Sequence, residues 1–183
     1  FDLTPFSKFE IKSDKAHQEL QKICTANIKK EVGKCTYTHM LNTDGGIETD
    51  LTVVCIDKNH FRIISSAATR ERDKFHIKKY LSKDVELKDV TDDLCVFGLF
   101  GPKSRDLIKT ISKDNFDNEK FKFGMARYIT IDGVKIWAQR LSYVGELGYE
   151  LYVEFNDAKK IYEIIIKLGK KFNLSNCGMH AMD

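Results

Sequence analysis

The chain has 183 residues, 42% hydrophobic and 31% charged, with 30 Lys and Arg against 27 Asp and Glu for a formal net charge of +3. That length can bury a full core, either as one ordinary domain or as two small lobes. The near balance of signs gives no electrostatic case for nucleic acid, and no apolar run approaches the roughly 20 residues that cross a bilayer.

Residues 8–12 (KFEIK) alternate with period two and predict a strand. Ser13-Asp14 offers an N-cap, and Ala16, Leu20 and Ile23 recur at helical spacing, giving a helix over about 14–25. A second alternating run, Tyr37 to Leu41, stops at Asn42-Thr43-Asp44-Gly45-Gly46 and is followed by Leu51-Thr52-Val53-Val54. This predicts a hairpin with a glycine corner. Asp50 stands beside the second run, where a carboxylate faces solvent, caps a backbone group or meets a ligand. Another strand at 61–65 and a charged amphipathic helix over about 69–82 complete a β-α-β-β-β-α order.

The same order then returns. Val96 to Leu99 reads as a strand, and Gly101-Pro102-Lys103 opens a helix with Leu107, Ile108 and Ile111 on one face. Tyr128 to Ile131 and Val134 to Arg140 form a hairpin joined at Asp132-Gly133, a dipeptide favoured in tight turns. Tyr149 to Val153 is a strand, and Asp157 caps a helix carrying Ile161, Ile164, Ile165 and Leu168, with Gly169 as its C-cap. The pattern predicts an α+β chain of two similar lobes, about 1–84 and 85–170, with a small-ligand cleft expected where two such lobes face one another.

Five scattered cysteines, with no CxxC pair, point to a reducing compartment without disulfides. The five histidines show no HxH or HExxH spacing, so no metal site is expected. No GxGxxG segment marks a dinucleotide site. The chain opens and closes in mid-pattern, which reads as a fragment of a longer polypeptide. Abundant Lys, Ile and Asn suit an AT-rich bacterial genome, hence a cytoplasmic setting.

Two segments carry a resemblance. GGIETDLTV resembles the folate-site segment of the glycine cleavage T-protein (aminomethyltransferase) family. The longer YTHMLNTDGGIETDLTV is closer to the branch at the C-terminal end of sarcosine and dimethylglycine dehydrogenases. LSYVGELGYEL resembles the family's tyrosine-x-glycine-glutamate-x-glycine-aromatic-glutamate motif. FGLFGPKSRDLI, FKFGMARY and CGMHAMD extend the likeness over essentially the whole chain. It implies one folate-binding domain over 1–183, without the C-terminal barrel that closes the family's full-length enzymes.

The resemblance implies that Asp50 is catalytic, beside the tetrahydrofolate amine that takes up a one-carbon unit. It also implies that Glu150 binds the pterin and that Tyr143 lines its pocket. A pterin presents an amino group and a ring N–H side by side, which one ionised carboxylate can accept together. Aromatic or apolar walls suit the flat ring, and Tyr37, Met40, Phe123 and Tyr143 can supply them. With FAD confined to a separate domain, the implied partners are a flavin dehydrogenase domain or the glycine cleavage components. The implied activity is transfer of a methylene unit from a glycine-, sarcosine- or dimethylglycine-derived imine. A catalytically silent folate-binding module, or a folate-dependent demethylase on the same scaffold, are the alternatives.

Overall fold

The computed structural model describes residues 1–181. Two compact units form, one from Pro5–Thr91 and the other from Phe1–Thr4 together with the chain from Asp92 onward.

The first unit runs β1 (Ser7–Lys12), α1 (Ala16–Ile23), β2 (Cys35–Leu41), β3 (Ile47–Asp57), β4 (His60–Ser65), α2 (Arg70–Tyr80) and β5 (Leu87–Asp89). Its antiparallel sheet has the order β2-β3-β4-β1-β5. Period two divides the sheet into faces. Phe9, Ile11, Met40, Leu51, Val53, Cys55, Phe61 and Ile63 point to one side, where they bury Ala16 and Leu20 of α1 and Ile77 of α2. Tyr37, His39, Asp50 and Thr52 stand on the other side, because β2 and β3 pair Tyr37 with Thr52 and His39 with Asp50.

The second unit runs β6 (Leu94–Phe100), α3 (Ser104–Ile111), β7 (Ala126–Ile131), β8 (Val134–Gln139), β9 (Gly148–Glu154) and α4 (Phe155–Gly169). Its antiparallel sheet has the order β6-β9-β8-β7. Leaving out β5, each sheet places its first strand beside its fourth, then the third, then the second, so both copies of the β-α-β-β-β-α order adopt one topology. Neither sheet closes into a barrel among the described residues.

Two turns explain the hairpins. Asp132 and Gly133 have φ of 47° and 80°, the left-handed pair that a two-residue β-turn needs. At the other corner Asn42 Oδ1 accepts the N–H groups of Asp44 and Gly46 at 3.0 and 2.8 Å, while Gly45 takes φ 82°.

Several helix boundaries depart from the sequence reading. α1 starts after Lys15, one turn beyond Ser13, whose Oγ instead accepts the Lys15 N–H. Pro102 lies in the turn before α3 rather than inside it. α4 begins directly after β9, which leaves Asp157 in its first turn instead of at the cap. The left-handed residue that ends this helical region is Asn173, with φ 59°, not Gly169. Gly169 serves packing, since a Cβ there would lie 2.7 Å from Leu174 Cβ. Finally, β5 is a three-residue edge strand too short to show a period.

Buried carboxylates tie the first unit's helices down. Glu19 of α1 accepts Ser82 N–H and Oγ–H, each at 2.9 Å, just past the end of α2. Asp73, 1% exposed in the first turn of α2, accepts Thr49 Oγ1–H at 3.2 Å and Thr69 Oγ1–H at 2.7 Å. The Thr49 bond fixes β3 one residue before Asp50. Asp73→Ala strands the Thr69 hydroxyl and leaves the Thr49 hydroxyl only the Asp50 carbonyl, at 3.2 Å, and should cost about 1–2 kcal/mol, seen as a lower urea midpoint with an unchanged slope. Asp73→Asn, which keeps an acceptor, should lose less than half of that.

Candidate functional site

The two carboxylates singled out in the sequence have contrasting surroundings. Asp50 is exposed on β3, and Tyr37 Oη donates to its Oδ2 at 3.0 Å across the strand pair. Tyr37 is itself 61% exposed and meets His39 edge-on, with centroids 5.3 Å apart. The register that sets His39 opposite Asp50 thus groups an exposed phenol and carboxylate with a half-buried imidazole. Met40, one residue further along, points the opposite way. It is fully buried among Leu20, Leu51 and Ile77 and has no surface to offer a ligand.

Glu150 sits on β9, an inner strand, half-buried. Its neighbours Tyr149, Leu151 and Val153 enter the core, so Glu150 and Tyr152 share the face away from α3 and α4. Gly98 of β6 and Gln139 of β8 lie directly opposite Glu150, and Val96 and Trp137 lie opposite Tyr152. Tyr152 Oη donates to Glu150 Oε2 at 2.9 Å. Burial pushes the Glu150 carboxyl above its ordinary range, and the Tyr152 hydrogen bond only partly offsets this. No cation pairs with it among the described residues.

Topology brings the remaining candidates to the same end of this sheet. The 140–147 loop joins the end of β8 to the start of β9, and the 122–125 turn leads into β7, which pairs with that end of β8. Tyr143 and Phe123 project from these connections, 64% and 71% exposed, where core residues would be covered. Glycine makes the loop's approach possible. A Cβ on Gly148 would lie 3.2 Å from Ser142 Cβ and would overlap the Phe100 ring, so loop and ring close directly over the strand backbone. Leu147 O then accepts from Gly101 N–H and Ser104 Oγ–H at 2.8 and 3.1 Å, which secures the loop's end.

Buried donors in this region that lack hydrogen-bond partners include Trp137 Nε1–H, Arg140 Nε–H and the Ser142 hydroxyl. Unpaired buried donors are costly, and a ligand's acceptors would relieve them. Trp137, Gln139 and Tyr152 escaped sequence reasoning because strand register alone puts them beside Glu150. The detectable signal was the alternation of β8 once aligned on the GYELYV strand. A pocket of about 870 Å³ lies elsewhere, between the ends of α3 and α4 and the β7–β8 turn, lined by Lys113, Lys167, Ile164 and Leu168. It is open and contains neither carboxylate.

Residues 1–183 match the family model described as the GCVT N-terminal domain. The chain belongs to that family. It is 33% identical over 184 residues to 4-methylaminobutanoate oxidase (formaldehyde-forming) of Paenarthrobacter nicotinovorans, covering all of this chain and 22% of the relative. It is 32% identical over 185 residues to mitochondrial dimethylglycine dehydrogenase of Rattus norvegicus, again covering 22% of it. With the aminomethyltransferase of Anoxybacillus flavithermus identity is 30% over 184 residues, half of that enzyme's length. The chain therefore spans from about a fifth to half of these relatives.

Solved structures share the fold. Glycine cleavage system aminomethyltransferase T from Bartonella henselae superposes with a TM-score of 0.78 at 18% identity, over 91% of this chain and 44% of that one. Heterotetrameric sarcosine oxidase from Corynebacterium sp. U-96 gives 0.74 at 11% identity, over 97% and 86%. The GCVT domain thus occurs among relatives of both kinds that the motifs resemble. Among the described residues no helix is long and apolar enough to cross a membrane.

The raised Glu150 pKa has a stability consequence with a definite sign. A carboxyl that holds its proton more tightly when folded favours the folded state at low pH and disfavours it once ionised. Glu150→Gln should therefore raise the melting temperature of the ligand-free protein at pH 7–8. The gain should shrink as pH falls to the ordinary carboxylate range, and calorimetric melts across pH check it.

Proposed function

We propose that this GCVT domain binds tetrahydrofolate and transfers a one-carbon unit to it. The observation that carries the reading is Glu150: a half-buried carboxylate without a paired cation, at the sheet end where Tyr143 and Phe123 project. A protein keeps such a group where its acceptors serve a ligand. The adjoining unpaired donors of Trp137 and Ser142 suit the acceptor side of the same heterocycle.

In this reading Glu150 accepts the amino and ring N–H donors of the pterin, and Tyr143 and Phe123 cover its apolar faces. When bound, tetrahydrofolate supplies the nucleophilic amine that takes up the carbon. Asp50 is the catalytic residue at that amine. Its carboxylate orients the amine, receives its proton and offsets positive charge as the carbon is captured. The Tyr37 hydroxyl holds one Asp50 oxygen and leaves the other open. The Asp50 carboxylate is open to solvent, whereas Glu150, more enclosed, serves recognition.

The donor in this reading is an amine-derived carbon, in line with relatives named for dimethylglycine, 4-methylaminobutanoate and glycine cleavage. Amine oxidation belongs to a flavin domain elsewhere, or the donor comes from glycine cleavage components. The five free thiols accord with a cytoplasmic setting.

Tetrahydrofolate titrated into the full-length protein should bind and raise its melting temperature. Glu150→Gln should weaken binding at least tenfold, the loss expected for charge-assisted hydrogen bonds. Asp50→Asn should change affinity less than threefold while slowing transfer by about 100-fold or more, the usual scale of general acid–base assistance. Absence of binding by the full-length protein would overturn the reading.

A further inference from the structure

We infer that Tyr152 is a positioning residue that aims the Glu150 carboxylate at its ligand. The inference rests on the folate reading above for the ligand's identity, but its structural basis stands apart from it. Glu150 and Tyr152 are two residues apart on β9 and therefore share a face. Tyr152 is 3% exposed, so its ring cannot swing with solvent. Register sets Val96 and Trp137 on either side of it. From this fixed ring the hydroxyl donates to Glu150 Oε2 at 2.9 Å.

The torsional freedom of glutamate makes that bond directional. A glutamate side chain has three rotatable torsions, and its terminal one is broad, so a carboxylate on a sheet face samples many orientations. A hydrogen bond from a ring that cannot move selects one of them. It commits one lone pair of Oε2 and leaves the second lone pair of Oε2, with both of Oε1, for an incoming pair of donors. The cross-strand neighbours Gly98 and Gln139 carry no charge that could orient the group instead. Tyr152 also opposes the burial that favours the protonated carboxyl.

The residue thus differs from Tyr143 and Phe123, which are exposed and would touch a ligand directly. Tyr152 acts on the ligand through Glu150. Such a role has a signature that ordinary packing lacks: its effect on binding disappears once Glu150 loses its charge.

The test is a double-mutant cycle on the full-length protein, with tetrahydrofolate titrated calorimetrically into wild type, Tyr152→Phe, Glu150→Gln and the double variant. Tyr152→Phe removes only the hydroxyl, and its melting temperature confirms folding. Binding should weaken roughly five- to tenfold in the single variant, as for one hydrogen bond to a charged group. Adding the same change to Glu150→Gln should weaken binding less than twofold further. An equal loss in both backgrounds, or none in the wild-type background, overturns the inference. Unchanged binding by Glu150→Gln would instead overturn the folate role of Glu150. A ligand-independent measurement separates the two. In ligand-free protein the ¹³C carboxyl resonance of Glu150 should titrate at higher pH in Tyr152→Phe than in wild type, and coincident curves overturn the inference whatever the ligand.

Discussion

A carboxylate half-buried on an inner strand, facing no paired cation, is the constraint around which the second unit is built. Desolvation disfavours its charge, and one phenolic hydroxyl answers it. The rest of the unit explains how the fold tolerates this. β9 lies between β6 and β8, so its backbone groups are paired on both edges. Tyr149, Leu151 and Val153 anchor its other face in a core closed by α3 and α4. The apolar face holds the strand while the opposite face carries a group that, by itself, works against folding. Such an arrangement is typical of a site where stability is given up for recognition.

The first unit repeats the architecture with a different outcome. Apart from the edge strand β5, its sheet has the same strand order and the same division into a helix-covered face and an opposite one that carries polar groups. On the polar face Glu10 meets His60 and Arg62 at 2.8 and 2.7 Å. Burial there would raise its pKa, but His60 and Arg62 prevail and bring it down to about 2. Asp50 on the same face is exposed and held by Tyr37. Three carboxylates on equivalent surfaces thus divide into one neutralised by cations, one open to solvent and one enclosed without a cation. Only the last two are free to act on a ligand, and their environments suit different tasks.

Much of this was readable before any coordinates. Both sheets follow from period-two runs and from two turn signals, Asn42 to Gly46 and Asp132-Gly133, whose φ values need those residues. The duplicated element order emerged because each copy repeats the strand and helix periods at the same spacing. Helix starts were misread at Ser13, Pro102 and Asp157 because capping residues also make ordinary turns, and the local pattern does not say which. Gly169 looked like a helix stop, yet it is small because Leu174 packs against it. Within the site, the tyrosine–glycine–glutamate motif pointed to Glu150 and Tyr143. Met40 was read as an apolar wall of the pocket, and His39 lies next to it. Alternation sends those neighbours to opposite faces, and only the pairing register revealed which face was the core. Tyr152, Trp137 and Gln139 stayed hidden for the same reason, since none belongs to a recognisable pattern until β8 is laid beside β9.

The central claim is that the Glu150 carboxylate receives the polar edge of a reduced folate. A crystal structure of the full-length protein soaked with tetrahydrofolate tests it most directly. The account expects the pterin's amino group and ring N–H within about 3 Å of the two Glu150 oxygens, with the Tyr152 hydrogen bond retained. A folate bound with its pterin against other residues, and Glu150 making no contact to it, would contradict the account.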